Sequence, residues 1–214
     1  MMFGSAFGKW TAAMPSMRCP LAMLAIGLAL IVGESKAANT QAAIAVVESS
    51  IDQLDAIIAS GRPSSEISDG IESLFKENLD AVYMARAVLG PPWRTATASQ
   101  RAAFTRVFRR YLAEKYSRYF RKFNGATYTV RSARTTRNEN SYEVVTTMHV
   151  QNKEPTRVYW HLFETKHGPK IRNLIVDEWN LLALEKTVLR NLLRHYNGNL
   201  NSLIRVLPRR YEDR

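Results

Sequence analysis

Apolar residues recur every three or four positions through the first half of the chain and every second position through most of the remainder, so a helical part gives way to a sheet. Residues 38–60 are Ala-rich with Ile44, Val47, Ile51, Leu54 and Ile58 at helical spacing, and Gly61-Arg62-Pro63 ends the run. Residues 64–76 repeat the pattern with Ile67, Ile71, Leu74 and Phe75. Asp80 is placed to cap a short helix over 81–89, and Gly90-Pro91-Pro92 forces a break after it. Thr97 or Ser99 starts a long helix that runs to about Phe123 and stops at Asn124-Gly125. Phe104, Val107, Phe108, Tyr111, Leu112, Tyr119 and Phe123 share one broad face of it, and Arg106, Arg109, Arg110, Arg118 and Arg121 lie mostly opposite. The expectation is a helix apolar on its inner side and basic on its outer side.

Beyond Gly125 the period is two. Tyr128 and Val130 alternate with Thr129 and Arg131; Tyr142, Val144, Thr146, Met148 and Val150 with Glu143, Thr147 and His149; Val158, Trp160 and Leu162 with Arg157, Tyr159 and His161. Asn138-Glu139-Asn140, residues 152–155 and His167-Gly168-Pro169 separate these runs, and residues 170–179 read as a fourth strand. Asn180 then caps a helix through Tyr196, Asn197-Gly198-Asn199 ends it, and a short helix over 200–207 reaches Pro208 and a charged tail. Helices, a four-stranded antiparallel meander with one face covered, then helices predict a single α+β domain over residues 38–214.

The first residues add a compartment. Lys9 and Arg18 precede an apolar run over 21–32, and Ser35-Lys36-Ala37 supplies small residues where a signal peptidase reads, so residues 1–37 are expected to be a signal cleaved after Ala37. That run is shorter than the ~20 apolar residues needed to span a bilayer. Cys19, the one cysteine of the 214 residues, leaves with the signal, so the exported domain must hold together without a disulfide. Loss of Lys9, Arg18 and Lys36 against Glu34 lowers the formal net charge of +11 by two. The remaining positive charge favours lipid head groups or acidic protein faces, and export argues against nucleic acid.

Catalytic patterns are thin. There is no Gly-rich phosphate loop, no Gly-x-Ser-x-Gly, no His-Glu-x-x-His and no paired-cysteine spacing. No metal or cofactor is therefore expected. His149 and His161 could neighbour each other across two strands, but they fall on the outward face and two ligands do not make a site. Glu185 sits within an apolar helical stripe, as a general base would; the simpler expectation is an edge residue paired with an arginine, and Asp177-Glu178 reads as a strand end before a helix cap. A wide aromatic lining in an exported basic domain without catalytic residues makes a carrier for an apolar molecule credible. Two alternatives remain: a basic docking or scaffold module with a filled core, and a lipid-directed enzyme using Glu185 or Asp177.

The stretch "MARAVLGPPWRTATASQRAAFTRVFRRYLAEKYSRYF" resembles the signature of the MlaC-type periplasmic phospholipid-binding proteins, the toluene-tolerance auxiliary family. The residues that carry the likeness are Met84, Ala85, Leu89, Gly90, Trp93, Arg94, Gln100, Arg101, Phe104, Phe108, Leu112 and Tyr116. The likeness covers residues 38–207. After the sheet it weakens, with Asn180, Lys186 and Leu189 where such carriers commonly have Ser, Arg and Phe, and "NLLALEKTVLRNLLRHYNG" looks like the hopanoid-associated branch called HpnM.

The resemblance implies a twisted sheet wrapped by helices, with acyl chains between them. It also implies a shuttle between the outer membrane and an inner-membrane ABC transporter with an MCE-type subunit, with an outer-membrane lipoprotein as a further partner. A cavity for a phospholipid or a hopanoid is then expected from Phe104, Phe108, Leu112 and Tyr116, from Tyr128, Val144, Thr146, Met148, Trp160 and Leu162, and from Leu182, Leu189 and Leu193. Aromatics and methionine give area and adaptable packing to such a cavity. Arg94, Arg101 and Lys186 are the candidates to meet a head-group phosphate at its mouth.

Overall fold

The computed structural model describes the backbone of residues 21–138 and 140–208 and, within these, the side chains from residue 38 onward. Lys9, Arg18, Cys19, Glu139 and the charged tail lie outside the described residues. The chain divides into two units, Met1–Ser35 and Lys36–Arg214. In the first, residues 21–35 are helical.

The helices follow the sequence pattern closely where a capping residue was legible. α1 spans Leu21–Ala59, so it begins before the expected residue 38, because the apolar residues after Leu21 are themselves good helix formers. Among the described residues no helix is long and apolar enough to cross a membrane. α2 is Ser64–Asn78, and α3 is Ala81–Leu89, with Asp80 Oδ1 accepting from the Tyr83 N–H at 3.0 Å. Gly90 breaks the chain at φ 66° and ψ −128°, and the two prolines after it then open a short helix α4, Pro91–Thr95. α5, Ala98–Phe120, starts in a capping box in which Thr97 and Gln100 exchange bonds, and a 3-10 turn Arg121–Phe123 finishes it.

Gly90 is required for a second reason. A Cβ there would lie 2.2 Å from Arg190 Nη2, so the guanidinium of the later helix packs directly on the glycine backbone. The Leu-Gly-x-x-Trp-Arg break is thus a close approach of two helices as well as a turn.

The strands β1 (Thr127–Thr135), β2 (Ser141–His149), β3 (Thr156–Thr165) and β4 (Gly168–Val176) form an antiparallel meander in sequence order. The expected four-stranded sheet is corrected to five: β5, Trp179–Asn180, pairs back on Val176 and Ile175. Asp177 takes φ 51°, a left-handed conformation that Asp tolerates, so Asp177-Glu178 is a tight hairpin turn rather than the strand end expected. A register shift between Val130 and Ser132 turns Ala133 to the inner face opposite Val144. His149 lies opposite Thr127 and His161 opposite Glu143, so the two histidines occupy different ends of β2's neighbourhood and are not a pair. No group of three potential metal ligands occurs among the described residues.

α6, Leu181–His195, is capped by Asn180, whose Oδ1 accepts from the Ala183 N–H at 3.0 Å, and α7, Leu200–Val206, by Asn199. Two cores result. α3, α5, α6 and α7 close around Phe104, Phe108, Leu189, Leu193 and Leu203, with the Phe104 and Phe108 rings stacked 5.8 Å apart. Ala43, Val47 and Ile51 of α1 cover Tyr142, Val144, Leu162 and Ile171 on the sheet. The outer face of α5 is less free than its arginines suggested. Arg110 pairs with Asp69 and Glu114, and Arg109 lies 3.3 Å from Glu72, which fastens α5 to α2.

Candidate functional site: an apolar cavity between sheet and helices

Between these two cores the packing does not close. Ile51 and Leu54 of α1, Leu74 and Phe75 of α2, Met84 of α3, and Leu112, Tyr116 and Phe120 of α5 face Tyr128, Met148, Val158, Trp160, Ile171, Leu174 and Val176 of the sheet across a gap. Phe123 and Leu181 complete the apolar wall. The cavity volume is about 130 Å³, or about 990 Å³ of unfilled space once its crevices and open mouth are counted.

The polar groups of its wall are already engaged by the protein. Ser50 donates to the Val46 carbonyl at 2.6 Å and accepts from Asn78 Nδ2 at 3.0 Å. Asn173 Oδ1 accepts from the Leu182 N–H at 3.1 Å, Trp160 Nε1 donates to Thr146 Oγ1 at 3.0 Å, and the Tyr128 hydroxyl donates to Met148 Sδ at 3.2 Å. The Tyr116 hydroxyl donates to Glu185 behind the wall. Water inside such a slot would find few partners, which favours an apolar occupant. Burial first, and the nearby Asp55 carboxylate second, push the Tyr128 phenol up to about 12, so it stays neutral.

The expected lining residues divide among the cavity, the helical core and the sheet beneath α1. Leu112, Tyr116, Tyr128, Met148 and Trp160 line the cavity. Phe104, Phe108, Leu189 and Leu193 belong to the closed helical core, with Leu182 packed on its edge. Val144 and Leu162 pack under α1, and Thr146 is fully buried as the acceptor for Trp160. The contributions of α1, α2 and β4 were not anticipated. Their signal was the apolar spacing of Ile51, Leu54, Leu74 and Phe75, which as a pattern is indistinguishable from ordinary core.

The expected head-group cations are not among the lining residues. Arg94 and Lys186 are exposed. Arg101 donates through Nε to the Trp93 carbonyl at 2.9 Å and through Nη2 to the Arg94 carbonyl at 3.0 Å, satisfying the end of α4 while lying 5.8 Å from the Trp93 ring.

Glu185 is corrected outright. It is 1% exposed rather than at an edge, and its partner is a lysine. Lys115 Nζ lies 2.6 Å from Oε1, the Tyr111 hydroxyl donates to Oε2 at 2.8 Å, and the Tyr116 hydroxyl donates to Oε1. Lys115 pairs with the carboxylate and two tyrosine hydroxyls hold it in place, so its bonds are spent within the protein behind the cavity wall.

Fold and cavity together define, in the unit Lys36–Arg214, an α+β architecture built around an apolar cavity. The chain belongs to the MlaC protein family, whose model matches residues 48–209. No curated protein matches it. Its fold is similar to that of the phospholipid-binding protein from Ralstonia solanacearum, solved in complex with a phospholipid: the TM-score is 0.64 at 18% identity, over 78% of this chain and 95% of that one.

Proposed function

We propose that the chain is a periplasmic lipid carrier that holds the acyl part of a phospholipid, or of a hopanoid, in the slot between α1, α2, α5 and the sheet. The observation that carries this reading is a wall that is apolar and whose polar side chains are hydrogen-bonded within the protein. Membership of the MlaC family and the shared fold with a protein solved around a phospholipid support it.

The physical task is desolvation. An acyl chain of about 16 carbons exposed to water costs roughly 13 kcal/mol at about 0.8 kcal/mol per methylene, and an apolar slot removes that cost during transit. The reading as a carrier rather than a catalyst is supported by the family and by the shared fold with a phospholipid-binding protein. Direction of transport then lies with partners, an inner-membrane MCE-type ABC transporter and an outer-membrane lipoprotein. Residues 1–37 act as the export signal. The hopanoid reading rests on the likeness of residues 180–198 to the HpnM branch.

The test is transfer. Vesicles carrying a fluorescent phospholipid are mixed with acceptor vesicles and the purified chain, and the chain should speed exchange in proportion to its concentration. An unchanged exchange rate with phospholipid and with hopanoid vesicles alike would remove the proposal.

A further inference from the structure

The sheet has a second face, turned away from the cavity. Met148, Val158 and Trp160 line the cavity, so their strand neighbours Thr147, Arg157 and Tyr159 point to the opposite side. Two hollows of about 700 and 540 Å³ lie there and share Pro155, Arg157 and Tyr159. One reaches Arg131 on β1 and the other reaches Trp179 on β5; among the described residues their lining comes from the sheet and its turns alone. With neighbouring strands about 4.8 Å apart, the way from β1 to β5 is roughly 19 Å, the length of about six extended residues.

Charge is laid out unevenly along this groove. Arg131 donates through Nε to Thr147 Oγ1 at 2.9 Å, and Thr147, only 7% exposed, stands opposite Arg157 in the register of β2 and β3. Two guanidiniums therefore flank one buried threonine across three adjacent strands. On the same face Arg134 is matched by Glu143 at 2.7 Å, whereas among the described residues neither Arg131 nor Arg157 makes an ion pair. Asp177 and Glu178 stand at the other end, in the turn between β4 and β5. Apolar surface accompanies them: Tyr159 is half-buried, Pro155 is exposed, and Trp179 is 69% exposed. Arginine, tyrosine and tryptophan are the side chains that most often anchor protein interfaces.

The geometry points to this groove as a docking site for an extended segment of a partner protein, with acidic side chains on Arg131 and Arg157 and an apolar side chain against Trp179 and Tyr159. Asp177 and Glu178 fix its direction, because a segment laid the other way round would bring its carboxylates onto theirs. A small anion would engage the arginines and leave the Trp179 end without a partner. An anionic lipid surface is flat where the hollows are concave, and it would meet the two carboxylates beside the tryptophan. The site is separate from the cavity and does not depend on what the cavity holds.

The experiment selects a display library of random peptides of about eight residues, long enough for the groove, on the purified chain. The enriched peptides are then titrated by fluorescence anisotropy. They should carry acidic residues toward one end and an aromatic or aliphatic residue toward the other. The double variant Arg131→Gln with Arg157→Gln should bind them about tenfold more weakly, and so should Trp179→Ala, as loss of charge-assisted contacts or of an aromatic anchor allows. Both variants should keep the wild-type melting temperature and the wild-type rate of lipid exchange between vesicles, which separates docking from the cavity. Enrichment of no sequence, or equal binding of the enriched peptides by the wild type and both variants, would overturn the site. Self-association of the wild type that the variants lose, with no peptide enriched, would overturn it in favour of a second copy of the chain.

Discussion

Lys115 on α5 places its ammonium 2.6 Å from the carboxylate of Glu185 on α6, and both side chains are buried behind the cavity wall. Tyr116 joins the pair to the slot, its ring facing the cavity and its hydroxyl bonded to Glu185. Removing one charge strands the other in a medium that solvates it poorly. Glu185→Gln should therefore cost about 3–5 kcal/mol in urea unfolding, while the double variant Lys115→Met with Glu185→Leu should cost much less than the sum of the two single changes. Additive losses would show that the pair is not coupled.

Gly90→Ala meets two penalties, a φ of 66° with ψ −128° that an L side chain rarely adopts and the guanidinium of Arg190 in the place of its Cβ. The expected loss is about 1–3 kcal/mol or more, read as a lower denaturation midpoint. Adding Arg190→Ala should recover the steric part and leave the backbone part.

Filling the slot and emptying the core are separable. Leu54→Trp, at a half-buried lining position, should abolish lipid loading and leave the melting temperature within a few degrees. Phe104→Ala, fully buried in the helical core, should lose about 3–5 kcal/mol of stability, with any remaining folded protein still binding lipid. Gel filtration with lipid phosphate analysis reads the first, and urea unfolding the second.

Stability should fall at high pH through two phenols. Burial pushes both Tyr128 and Tyr142 up to about 12 from an ordinary 10.0, the Glu164 contact adding to the effect at Tyr142. The unfolded chain releases these protons first, so the folded state binds more protons between those two values and stability is full below pH 10 and declines as pH approaches 12. Tyr128→Phe and Tyr142→Phe should each flatten the decline in melting temperature over that window. An unaltered slope in both would contradict the burial of the phenols.

Local chemistry made the helices legible. Asp80, Thr97 and Asn180 each cap the helix their position announced, because a cap needs only a side-chain oxygen two or three residues from a free N–H. β5 was hidden because its turn depends on the left-handed Asp177, which the alternation of its neighbours does not encode. The cavity was half legible. Tyr116, Met148 and Trp160 face it, whereas Phe104, Leu189 and Leu193 carry the same apolar pattern and are consumed by the helical core, since periodicity names the inward face without saying whether another element fills the space beyond it. The buried pair had a readable signal that one helix alone did not supply: Lys115 lies among Tyr111, Leu112 and Tyr116 on the apolar face of α5, and Glu185 lies on the apolar stripe of α6. One opposite charge on each of two packed apolar faces is the pattern of a buried ion pair.

The most direct measurement is mass spectrometry of the lipid extracted from the chain as purified from its native cells without detergent. About one equivalent of phospholipid or hopanoid per chain is the expected result, and its loss on Leu54→Trp would assign it to the slot. A chain that emerges lipid-free, and takes up neither lipid when offered, would contradict the carrier.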